Sequence, residues 1–352
     1  MDYLQLYLKN EYTRDKEVIS TFFKKYDQNG EGFLCSEQFR CFVEDNFDCS
    51  DTNAKSRSDS ILRIFQLIDI KKDGKLDEQE WEMAWYYWLK QILSPVTALL
   101  IIDVQNDFIN GSLALSNCPA GQDGFGVVPI INSIQGHISF DVVAYSKDWH
   151  PPNHISFIDN INSRPLHSSS KVSASEATVT DTVVFAGPPV TEQVMWPRHC
   201  VQDSRGADFH PDLMVLDKSY VVNKGTHPDV DSYSAFWDNN KLSQTKLVNI
   251  LAKHKVTDVY VCGLAYDVCV GSTALHALEH GFRTVLIEDG CRGVCLQGID
   301  DMRQKLISNG AYIGTSDEVQ DLVSAKKRPL LLAVKAAENY AMARRIVQSK
   351  EV

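Results

Sequence analysis

The 352-residue sequence has no apolar run of the ~18 residues needed to cross a bilayer. Its opening stretch, MDYLQLYLKNEYTRDKE, has no apolar signal core. A membrane partner is therefore not expected, and the expected compartment is the cytoplasm, with the nucleus left open. There is no Lys/Arg block, and a net charge of −11 argues against a nucleic-acid surface. The nine cysteines are odd in number and scattered, which points to reduced thiols rather than a disulfide framework. Cys291 and Cys295 lie close together, but no second cysteine pair completes a zinc site. What remains, 44% hydrophobic and 23% charged, is an ordinary globular composition, long enough for one large domain and a small one.

The pattern changes once along the chain. Residues 1–93 are charged and helical, ending in the aromatic helix WEMAWYYWLKQIL before Ser94-Pro95. From Val96 short apolar runs alternate with amphipathic stretches. The runs are Ala98–Ile102, Val142–Tyr145, Val259–Val261 and Thr284–Ile287. The expected helices are Pro129–His137, Lys241–His254 and Cys269–His280. This alternation predicts a three-layer α/β domain, a parallel sheet covered on both faces, over 94–325. Residues 159–190, rich in Ser, Thr and Pro, read as a long surface insertion. Residues 326–352 read as a helical tail.

Two loops in 1–93 fit the twelve-residue EF-hand frame, predicting a small all-α EF-hand pair. The first, Asp27–Gln38, offers Asp27, Asn29 and Glu31 and bends at Gly32, but Gln38 stands where a bidentate glutamate normally closes the shell. The second offers Asp69, Asp73, Lys75, Asp77 and Glu80, but Lys71 puts an ammonium at the third ligand position. Calcium is expected to bind weakly there, around 10⁻⁴ M or worse, and worse still in the first loop.

The stretch from Asp258 to Leu278 carries the chemistry. Val259–Val261 is a buried strand, Gly263 breaks it, and a helix pattern begins near Cys269. A cysteine there meets backbone N–H groups and a helix dipole that stabilise a thiolate and receive an oxyanion. Asp103 ends the apolar run Ala98–Ile102, at the sheet edge where such folds bind ligands, and is a candidate base. Lys224 ends another extended run, and its charge would favour the ionised forms of both neighbours. Asp148, His150 and His154 lie at a strand end and His199 follows later, an Asp/His set suited to a divalent metal with open positions. Singly, each residue has a commoner explanation as a cap, a core thiol or a surface group. Only the set points to a site.

DVQNDF, DWHPPNHISF, WPRHC, NKG and GLAYDVC, in that order, resemble the nicotinamidases of the isochorismatase-like cysteine hydrolase superfamily over about residues 96–322. The resemblance implies a Cys269–Asp103–Lys224 triad and metal ligation by Asp148, His150 and His199, with His154 a less certain ligand. The metal would be zinc, with iron or manganese as alternatives. It implies a cis peptide at Leu264–Ala265, an oxyanion site at Ala265 and Cys269, and substrate contacts from Phe108, Trp196 and Leu264. Tyr266 replaces a threonine common among relatives and is expected at the pocket rim. The implied reaction is deamidation of nicotinamide through a thioester, for NAD salvage, by a monomer or homo-oligomer. The rivals are an amidase of the same superfamily for another small amide, and a calcium-responsive binding protein with an inert hydrolase domain.

Overall fold

The computed structural model describes residues 15–50 and 54–349. In chain order the helices and strands that matter are α1 (Asp15–Tyr26), β1 (Phe33–Leu34), α2 (Ser36–Asn46), α3 (Ala54–Ile68), β2 (Leu76–Asp77) and α4 (Glu78–Ala84). There follow β3 (Thr97–Ile102), α5 (Val127–His137), β4 (Val142–Asp148), β5 (Thr182–Phe185), β6 (Thr191–Val194), β7 (Tyr220–Lys224) and α6 (Leu247–Lys253). The chain closes with β8 (Asp258–Leu264), α7 (Gly271–Glu279), β9 (Arg283–Arg292), α8 (Leu296–Ser308), β10 (Tyr312–Gly314) and α9 (Leu330–Gln348). These form two compact units.

The first unit runs to Pro95 and takes back the carboxyl-terminal segment from Glu318. Its two helix–loop–helix halves meet through β1 and β2, Phe33 opposite Asp77 and Leu34 opposite Leu76. Helix α4 continues through a π-type turn at Trp85–Leu89 into Lys90–Leu93, so the aromatic stretch is one long rod. That rod buries Trp81, Trp85 and Trp88 against Phe22, Phe39, Phe42 and Phe47. The tail expected over 326–352 is not a separate body within the described residues. Leu330, Ala333, Ala336, Ala337 and Tyr340 of α9 belong to this same core.

The second unit is a six-stranded sheet in the order β10-β9-β8-β3-β4-β7. β3 pairs in parallel with β4 and β8, β4 with β7, and β8 with β9. β3 is buried along its whole length, as a central strand covered on both faces must be. From β3 the chain builds outward through β4 and β7, then returns to the other side of β3 with β8. That reversal opens a crevice at the carboxyl ends of β3, β4 and β8.

Two sequence expectations change here. Helix α6 starts at Leu247 rather than Lys241, because the Asp238 carboxylate collects the N–H groups of Asn240, Leu242 and Ser243 and winds that segment into a loop. Residues 159–190 contain a strand, β5, which pairs antiparallel with β6. Val183, Phe185, Ile155, Ile161 and Met195 give that insertion a small core of its own.

Gly263 sets the exit of β8. Its φ is +119°, and a Cβ there would lie 2.1 Å from the Ile102 carbonyl oxygen. Only a residue without a side chain lets β8 approach β3 so closely. Gly263→Ala is expected to destabilise the fold by about 3 kcal/mol or more, measured by denaturant unfolding.

Candidate active site

Asp103, at the end of β3, is fully buried and has a φ of +50°, a conformation non-glycine residues adopt only when the surroundings impose it. Its Oδ1 accepts the Ser146 hydroxyl at 2.6 Å. Its Oδ2 lies 2.8 Å from Lys224 Nζ, a close buried ion pair. Burial raises the Asp103 pKa to about 6, with Lys224 opposing.

Lys224, the last residue of β7, is 2% exposed. Its ammonium also reaches Asp148 Oδ1 at 2.6 Å, the Ser232 carbonyl at 2.9 Å and Cys269 Sγ at 3.2 Å. Against the effect of burial, the Asp103 and Asp148 charges hold this amine firmly protonated. The three predicted triad residues are thus brought together around one nitrogen.

Cys269 lies in a π-type turn, Tyr266–Val270, that leads into α7. Burial pushes the Cys269 pKa well above its ordinary value; the Lys224 charge pulls it down, and the Asp103 and Asp148 carboxylates push it up again. The group is a thiol at rest and needs a base to attack. The Leu264–Ala265 peptide is cis.

Asp148, His150 and His199 present donor atoms within 4.8 Å of one another. The His150 Nδ1 proton is given to the Gly225 carbonyl at 2.9 Å, and that of His199 to the Pro197 carbonyl at 2.7 Å. Each imidazole therefore turns its Nε2 toward Asp148, at 3.6 and 3.8 Å from Oδ2, and the Asp148 charge raises the His150 pKa against the effect of burial. Burial, with His150 beside it, lowers the His199 pKa to about 4 and keeps that nitrogen unprotonated. His154 stacks on His150 with ring centroids 4.0 Å apart, and its buried Nε2 has no hydrogen-bond partner. Three clustered imidazoles, one carboxylate and an orphaned nitrogen are a donor set that suits a divalent cation.

Glycine and amide contacts hold this set in place. A Cβ at Gly225 would strike the His150 ring at 2.3 Å. Gln105 clips the end of β4, donating to the Asp148 carbonyl and accepting its N–H, both at 2.8 Å. Asp107 Oδ2 accepts the Cys200 N–H at 2.7 Å and so fixes the loop that carries His199. Gln105 and Asp107 of DVQNDF are therefore scaffold.

The cleft above these groups has an open space of about 410 Å³. Phe108, Trp196, Ala265 and Cys269 line it as expected. Leu264 does not, being wholly buried at the end of β8. Tyr266 does not reach the rim either. It turns away, and its hydroxyl donates to Glu288 at 3.2 Å. Sequence reasoning missed Asp231 and Tyr233, which line the same wall. Asp231 Oδ2 accepts from Gln193 at 3.0 Å, and Oδ1 is 3.9 Å from His154 Nε2. The only signal was the dense polar run Asp231–Ser234 after NKG. In the second EF-hand loop, Asp69, Asp73 and Glu80 converge, whereas the Asp77 carboxylate is taken by Lys71.

If His150 and His199 hold a cation, replacing either by alanine lowers affinity for a divalent metal by about 10–100-fold or more. Elemental analysis after dialysis against a weak chelator checks this, with circular dichroism to verify the fold.

An Isochorismatase domain model matches residues 170–318, and an EF-hand domain pair model matches residues 16–84. The chain is 38% identical to the nicotinamidase of Escherichia coli, over 58% of this chain and 87% of that protein. It is 34% identical to the nicotinamidase of Acinetobacter baylyi, over 60% and 89%. A solved Acinetobacter baumannii nicotinamidase/pyrazinamidase superposes with a TM-score of 0.54 at 35% identity, covering 64% of this chain and 98% of its own. Yeast nicotinamidase bound to the inhibitor nicotinaldehyde gives 0.53 at 27% identity, covering 62% and 99%. The chain belongs to the nicotinamidase family of isochorismatase-domain hydrolases, here with an EF-hand pair ahead of that domain.

Proposed function

We propose that this protein hydrolyses the carboxamide of nicotinamide to nicotinate and ammonia, a step that returns the pyridine ring to NAD synthesis. One observation carries the reading. A buried ammonium touches the thiol of Cys269 and both Asp103 and Asp148 at the floor of a cleft walled by Phe108 and Trp196. Relatives that cover nearly their whole length here are nicotinamidases, and a yeast relative binds nicotinaldehyde. The aromatic walls suit a flat ring.

The chain's own residues account for the steps. Asp103 takes the proton of the Cys269 thiol as sulfur attacks the carboxamide carbon. The backbone N–H groups of Ala265 and Cys269 receive the oxyanion that forms. When the tetrahedral adduct collapses the C–N bond breaks, Asp103 passes its proton to the nitrogen, and ammonia leaves a thioester on Cys269. A water then attacks the thioester, again giving a proton to Asp103, and nicotinate departs with the thiol restored. Lys224 stays protonated throughout and steadies the charge that moves between Asp103 and sulfur.

A divalent metal held by Asp148, His150 and His199, with His154 beside them, would supply a Lewis-acidic partner for the ring nitrogen. That partner distinguishes a pyridine carboxamide from an aliphatic amide. Cys269→Ala is expected to lower ammonia release from nicotinamide by ~10³-fold or more while the protein remains folded. A folded variant with near wild-type turnover rules out the cysteine route. Pairing nicotinamide with benzamide in the same assay tests the ring nitrogen, since the proposal expects benzamide to react far more slowly.

A further inference from the structure

Both EF-hand loops are closed by side chains of the chain itself. In the second loop, the Lys71 ammonium pairs with Asp77, joining the third ligand position to the ninth. Glu80, at the twelfth, accepts the N–H groups of Ile70 and Lys71 at 2.8 and 2.9 Å. Asp69 accepts those of Lys72 and Gly74 at 2.7 and 2.9 Å. In the first loop, Gln38 Nε2 donates to Asn29 Oδ1 at 3.1 Å, joining the twelfth position to the third. Asp27 accepts the Glu31 and Gly32 N–H groups at 3.1 and 3.0 Å. The loops hold their shape with an ammonium and an amide where a cation's charge would act.

Calcium sensors use the ion to open an apolar groove that then takes an amphipathic helix. In this unit α9 is already seated against that kind of surface. Ala333, Ala336 and Ala337 are small enough to bring its backbone close, and Trp88 Nε1 donates to the Ala333 carbonyl at 2.9 Å. Tyr340 stacks on Tyr87 with ring centroids 5.7 Å apart. Glu338 pairs with Arg63 at 2.5 Å, and Arg344 donates to the Leu67 carbonyl. The entry to α9 is tied to the segment between the two hands. The Asp48 N–H donates to the Arg328 carbonyl at 2.8 Å, and the Leu330 N–H to the Asp48 carbonyl at 2.9 Å. Buried Arg328 donates through Nε to the Asn46 carbonyl at 2.8 Å.

We propose that the amino-terminal pair is a calcium-independent receptor for the chain's own carboxyl-terminal helix, with Lys71 supplying the positive charge that an ion would bring. Calcium then has no closed state to open and no groove to expose, so it has little differential binding energy with which to act.

The test uses the full-length protein and Lys71→Asp, which puts a carboxylate at the one ligand position of the second loop that lacks an oxygen donor. Calcium is titrated calorimetrically, and hydrogen exchange of residues 330–348 is followed in calcium and in chelator. The expected result is that Lys71→Asp binds calcium at least about 100-fold more tightly than wild type. In the wild type, α9 amides stay equally protected in calcium and in chelator. Wild-type binding as tight as that of the variant overturns the role given to Lys71. So does a variant with unchanged thermal stability that gains no binding. Loss of α9 protection on chelation overturns the calcium independence.

Discussion

The site depends on one buried ammonium. Lys224 sits among Asp103, Asp148, a backbone carbonyl and a thiol, all removed from water. Taking a charge out of water costs several kcal/mol, and only close opposite charges and full hydrogen bonding recover it. Two carboxylates and one ammonium still leave a negative charge, since Cys269 is a thiol at rest. A cation held beside Asp148 would offset it. Asp148 is the hinge between the two halves of the site, turning Oδ1 to Lys224 and Oδ2 to the imidazoles.

The fold delivers these groups because strand ends are the best-fixed points of a parallel sheet. Asp103, Asp148 and Lys224 lie at or just beyond the ends of β3, β4 and β7, and Cys269 follows β8 by five residues. Close packing at two glycines makes the convergence possible. Gly263 lets β8 run against β3, and Gly225 makes room for the His150 ring. A methyl group would strike the Ile102 backbone at the first and the His150 ring at the second.

Much of this was legible in the sequence because the site residues sit in short motifs at the ends of apolar runs. The four strongest runs are all strands of the sheet, and Phe108, Trp196 and Cys269 all meet in the cleft. What was not legible depends on long-range contact. Asp231 and Tyr233 lie in an irregular loop with no periodicity, and only the folded chain brings them to the cleft. A thiol that needs Asp103 as its base was legible, but that burial sets the Cys269 protonation against the pull of Lys224 is seen only in the folded chain. Leu264 and Tyr266 flank Ala265 in the motif but point elsewhere, since the side chains of adjacent residues do not share a direction. Helix α9, with its alanine-rich face, has too weak a pattern to announce a partner, and its place against Trp88 and Tyr87 comes from tertiary packing.

The central claim is that Cys269 attacks the carboxamide and carries the acyl group, with Asp103 handling the proton and Lys224 holding both in place. Rapid quenching of the full-length protein with nicotinamide, followed by intact mass and peptide mapping, tests it most directly. The account predicts a transient mass increase of one nicotinoyl group, mapped to Cys269, that forms and decays at rates compatible with ammonia release. Steady ammonia release with no acyl group on Cys269 at any quench time, from an enzyme whose Cys269→Ala form turns over equally well, would contradict it.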